Sequence, residues 1–61
     1  MKYQLVVYVK NLGGGVDTLL LPQVYKDYET ALKAQIALTK EADNKEMYYI
    51  LGYNVVPTAV G

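Results

Sequence analysis

The sequence predicts an α+β fold: a single ββαβ domain with a three-stranded antiparallel sheet, order 2-1-3, and one helix packed on one face. Three observations predict it. A β-branched, aromatic segment and a second, Leu- and Val-rich segment flank a Gly13-Gly14-Gly15 break, a helix-period segment follows an acidic cap at Asp27, and a third strand-like segment ends at Pro57. The whole of residues 1–61 reads as one small domain, without repeats, linkers or low-complexity tracts.

The first strand is expected over residues 2–10, bracketed by Lys2 and Lys10. Tyr3, Leu5, Val7 and Val9 alternate with Gln4, Val6 and Tyr8, so the two sets take opposite faces. Three consecutive glycines then permit positive φ without steric penalty and read as a hairpin loop. A phosphate-binding loop would require Lys-Ser/Thr and a helix after the glycines. Val16-Asp17-Thr18 and a strand follow instead. The second strand is expected over residues 16–25, where Pro22, unable to donate to a ladder, places it at an edge or ends it early.

The helix is expected over residues 28–43. Asp27 caps its first turn, Glu29 favours the positive end of the dipole, and Glu29–Lys33 forms an i,i+4 pair. Tyr28, Ala31, Leu32, Gln35, Ile36, Leu38, Thr39 and Ala42 share one arc, opposite Lys33, Ala37, Lys40 and Glu41. Gln35 lies within that apolar arc and requires a hydrogen-bond partner, a pocket or an interface. Asn44 is expected to close the helix in the left-handed conformation. The third strand is expected over residues 46–56, with a loose tail at 57–61.

Sheet order follows from connectivity. A hairpin sets the first two strands antiparallel, and a right-handed crossover through the helix lays the third beside the first. The expected core is Leu5, Val7, Val9, Leu32, Ile36, Leu38 and Ile50, with Tyr28 where the helix begins. The buried face of the third strand stays open between Tyr48/Ile50/Val56 and Tyr49/Leu51/Tyr53/Val55, because a one-residue slip exchanges them.

Composition restricts function more than any motif. The chain has no Cys, His, Ser, Arg, Trp or Phe. Nucleophile–base pairs of acyl transfer, disulfides and the usual zinc ligand sets therefore cannot be assembled. No enzyme activity, cofactor or metal is expected. The acidic stretch Glu41–Glu46 lacks the spacing and central glycine of a calcium loop. Six lysines balance six acidic residues, so the excess positive charge that drives nucleic-acid binding is missing. The N-terminus shows no signal-peptide pattern and no run suits a bilayer, which predicts a cytoplasmic protein without membrane association.

What remains is a binding surface. Seven tyrosines replace every other aromatic residue, and tyrosine suits surfaces that are apolar in body and polar at the rim. Both faces of the strands are apolar while one helix covers only one, which predicts a homodimer or a complex with another protein. The expected interface is Val6, Tyr8, Tyr49, Leu51 and Tyr53 on the back of the sheet. Edge pairing is the second mode, with strand three the more available edge because Pro22 blunts strand two. The alternative is single-stranded nucleic-acid binding, with Tyr8, Tyr48 and Tyr49 stacking on bases and Lys2 and Lys10 beside them. In size, ββαβ order and its Asp27-Tyr28-Glu29-Thr30-Ala31-Leu32 helix opening, the chain resembles small accessory proteins of phages and mobile elements, some of which bind and inhibit host enzymes. That resemblance transfers no individual residue.

Overall fold

The computed structural model describes residues 1–58. Along the chain run β1 (Tyr3–Lys10), β2 (Val16–Leu20), α1 (Tyr28–Asn44) and β3 (Ile50–Pro57). The strands form one sheet of order β2-β1-β3, antiparallel throughout, as the connectivity requires. The loose tail expected at 57–61 lies partly outside the described residues; within them, Pro57 belongs to β3 and the Thr58 amide donates to the Lys2 carbonyl at 3.0 Å. Among the described residues no helix is long and apolar enough to cross a membrane.

The hairpin loop is built by Asn11 more than by the glycines. Its Oδ1 accepts from the backbone amides of Gly13 at 3.0 Å and Gly15 at 2.9 Å, while Nδ2 donates to Asp17 at 3.3 Å. Only Gly14, at φ 85°, needs the left-handed region. The Gly14 amide donates to the Asn11 backbone carbonyl at 3.1 Å, so all three glycine amides that a phosphate would use are already taken by Asn11.

β2 is half the expected length. The Leu21 amide still donates to the Leu5 carbonyl at 2.8 Å, and the Gln4 side chain then takes the Leu21 carbonyl at 3.2 Å. Pro22 ends the ladder there because it has no N–H to continue it. The chain rejoins the sheet at a single bridge, Tyr25 with Tyr3.

Asp27 caps α1, accepting from the Thr30 amide at 2.7 Å. Hydrogen bonding with Thr30, by side chain and then backbone, lowers the Asp27 carboxyl pKa, and Lys26 and Lys33 add to the effect. The predicted Glu29–Lys33 pair is present at 3.5 Å, fully on the surface, where such pairs contribute little. The helix closes differently from expectation. Asn44 remains helical, and Glu46 takes the left-handed residue with φ 54°. Met47 N–H donates to the Ala42 carbonyl at 2.9 Å and Glu46 N–H to that of Asp43 at 3.2 Å, which is the pairing of a Schellman motif. A glutamate therefore stands where glycine is usual. Glu46→Gly is expected to raise stability by about 0.5–1 kcal/mol by relieving the backbone penalty, read as a higher midpoint in urea unfolding; an unchanged or lower midpoint would contradict this closure.

The ring contact of Tyr3 with Tyr28 (centroids 5.6 Å apart, 75° between planes) puts Tyr3, Leu5, Val7 and Val9 on the helix side. Leu5, Val7, Ala31 and Ala42 are buried there, and Val9, Leu32, Leu38 and Ile50 are half-buried. Ile36 (49% exposed) and Tyr28 leave the expected core. The two buried helix residues, Ala31 and Ala42, lie roughly 40–60° to one side of the centre of the apolar arc, at 100° per residue, so the buried face is turned away from Ile36. Neither of the two expected faces of the third strand is realised whole, because the register shift near Gly52 puts Ile50, opposite Val9, on the same side as Tyr53 and Val55. Val55 faces Leu5 and Tyr53 faces Val7 across the ladder, so both lie on the helix side, while Val56 and Asn54 turn to the back.

Candidate functional site: the sheet edges

The candidate interface residues do not converge. Val6 is buried in the central strand between Leu20 and Asn54, and Tyr8 is half-buried between Thr18 and Gly52. Tyr53 belongs to the helix side. Leu51 is exposed at the irregularity where the β3 register shifts between Gly52 and Ile50. Tyr49 is also exposed, but it lies before β3 in the turn that follows α1. The sequence pattern missed this because the Schellman closure consumes residues 45–49, which read from composition as the start of a strand.

The base-stacking alternative loses its platform for the same reason. Tyr48 sits with Tyr49 in that turn, not on the sheet. Across the ladder Tyr8 meets Thr18 and Gly52, neither aromatic, and Lys2 and Lys10 flank opposite ends of β1.

What the structure does assemble is a contrast between the two sheet edges. In an antiparallel ladder alternate residues direct their backbone groups to a given neighbour. The bonds Leu21 N–H to Leu5, Asn11 N–H to Gly15, and Lys10 N–H to Tyr49 fix the phase: odd residues of β1 bond β2, even ones bond β3. The outward groups are then those of Val16, Thr18 and Leu20 on β2, and of Tyr53, Val55 and Pro57 on β3, where the alternation runs unbroken up to the register shift near Gly52.

The β3 edge is obstructed three ways. Gln35 reaches down from α1 and donates Nε2 to the outward Tyr53 carbonyl at 2.8 Å, which answers its need for a partner. The register shift near Gly52 bends the strand, and Pro57 has no N–H. Bulges, prolines and helix cover are the means by which proteins blunt edges. The expectation that strand three is the more available edge is thus reversed: Pro22 lies beyond β2, and the helix guards β3.

The β2 edge has none of these devices within Val16–Leu20. α1 lies over β3 and β1 and leaves β2 uncovered. All five β2 residues are exposed, Val16 at 57%, Leu19 at 54% and Leu20 at 58%. Among the described residues no hydrogen bond engages the outward backbone of Val16, Thr18 or Leu20.

No protein-family model matches the chain, and comparison with curated proteins and with solved structures finds no match either. Among the described residues no three Asp or Glu side chains gather to hold a metal ion. Two recesses flank Tyr53; one is lined by Leu38, Glu41, Ala42, Lys45, Met47 and Tyr53. Within it the Glu41–Lys45 bond at 2.7 Å lowers the Glu41 pKa and raises that of Lys45, so each charge is matched by the other.

Proposed function

We propose that this chain is a small non-catalytic protein-binding module, self-associating or binding and blocking a larger protein. One observation carries the reading: β2 is uncovered on both faces and carries three half-exposed aliphatic side chains beside unused backbone donors and acceptors. Main-chain pairing at such an edge supplies affinity, and the alternating side chains supply selectivity. The absence of net charge leaves no long-range repulsion between copies.

A photo-crosslinking residue at position 20, compared with one at the solvent-facing position 33, tests the proposal in the cells that make the protein. Position 20 is expected to trap protein, either a second copy or a larger chain, and position 33 to trap none. Equal labelling at both positions, or none at either, would overturn it.

A further inference from the structure

We infer that the occupant of the β2 edge is a second copy of this chain, paired antiparallel about a two-fold axis at Thr18 to make a continuous six-stranded sheet. The inference rests on the binding reading above and adds the partner and the register. Its support is self-complementarity. The outward residues Val16, Thr18 and Leu20 are spaced symmetrically about Thr18. A two-fold there sets Thr18 against itself, and Val16 against Leu20 of the second copy, twice. Each of these is a pair that exchanges both backbone bonds, so all three outward N–H and C=O groups of each copy are satisfied. Val16 and Leu20 meet on the back of the joined sheet, an aliphatic cross-strand pair of the kind that stabilises sheets.

The competing registers are worse for reasons visible in the sequence. A two-fold at Asp17 would press two carboxylates together. A two-fold at Leu19 sets Val16 against Pro22, which has no amide to donate, and loses that pair. Asp17 in the Thr18 register faces Leu19 of the second copy, and its carboxylate keeps the bond from Asn11. Five residues of strand bury less than the roughly 800 Å² per partner of a stable interface, so the dimer is expected to be weak and concentration-dependent.

The chain has no cysteine, so a single introduced one reports without interference. Directly opposed residues of an exchanging pair have Cα atoms about 5.5 Å apart, within disulfide reach. Thr18→Cys is therefore expected to oxidise to a covalent dimer. Leu20→Cys, roughly 13 Å from its counterpart in this register, is not. Thr18→Pro removes only an outward N–H, so it should retain the wild-type far-ultraviolet circular dichroism while weakening dimerisation about tenfold or more in sedimentation equilibrium. Leu20→Lys, which costs no backbone bond, should weaken it likewise and serves if the proline variant unfolds. A wild-type chain monomeric up to about 1 mM, or Leu20→Cys cross-linking as fast as Thr18→Cys, would overturn the inference. In the first case, a foreign protein trapped from position 20 would leave the binding reading intact; no trapped protein would end both.

Discussion

Leu5→Ala is expected to abolish cooperative folding at room temperature or leave only a residue of it. Leu5 is the one large side chain among the described residues that is fully buried. It lies on the helix side of the central strand, directly across the ladder from Val55, with Leu21 bonded to its carbonyl. Truncating a buried leucine to alanine costs about 2–5 kcal/mol, through lost transfer energy and the cavity left behind. A single core in a domain this small seldom supplies more than about 3–5 kcal/mol. The loss and the total are therefore of the same size. Urea unfolding followed by circular dichroism reads the result, and a variant that kept the wild-type midpoint would show that the core lies elsewhere.

Ala31→Leu is expected to destabilise by about 1–3 kcal/mol, although leucine is a good helix former. Ala31 is completely buried where α1 meets the sheet. The added side chain has to push the helix outward or adopt a strained rotamer. Ala37 points to solvent on the same helix, and Ala37→Leu is expected to change stability by less than about 0.5 kcal/mol. The contrast between the two separates packing from propensity in a single thermal-unfolding experiment. Equal effects at both positions would contradict the packing of α1 on the sheet through Ala31.

The burial of Ala31 also shows which parts of the fold are legible in the sequence. Element order, the 2-1-3 sheet and the Asp27 cap follow from local chemistry and connectivity, since Pro22, the glycine run and the helix period each act on their immediate neighbours. The face that the helix buries is set by distance to the sheet. Hydrophobic periodicity weights the bulk of Leu32 and Ile36, whereas the buried positions are the small Ala31 and Ala42 on the other side of the arc. Glu46 was illegible because nothing in glutamate favours a left-handed φ; the closure is imposed by Met47 and Ala42, which reach the same recess beside Tyr53.

Which sheet edge is open is not legible in the sequence for a related reason. Pro22 and Pro57 are both visible in the sequence, but only the structure places Pro22 after the last β2 residue and Pro57 inside β3. The decisive contact, Gln35 to the Tyr53 carbonyl, joins residues 18 apart in the chain. The sequence flagged Gln35 as needing a partner and could not name it. Overuse of tyrosine points to a surface, yet the rings are spread among the central strand, the bridge at Tyr25, the helix start, the turn before β3 and β3 itself, and the uncovered aliphatic strand carries no tyrosine at all.

Residue-resolved amide hydrogen exchange across a wide range of protein concentrations tests the central claim most directly. It reads individual backbone donors, and the two edges differ in which donors they offer. Protection at Val16, Thr18 and Leu20 is expected to rise with concentration, while Tyr53 and Val55 exchange at an unchanged rate. Concentration-dependent protection at Tyr53 and Val55 without change at β2, or no change at either edge, would contradict the assignment of β2 as the edge that recruits a second copy.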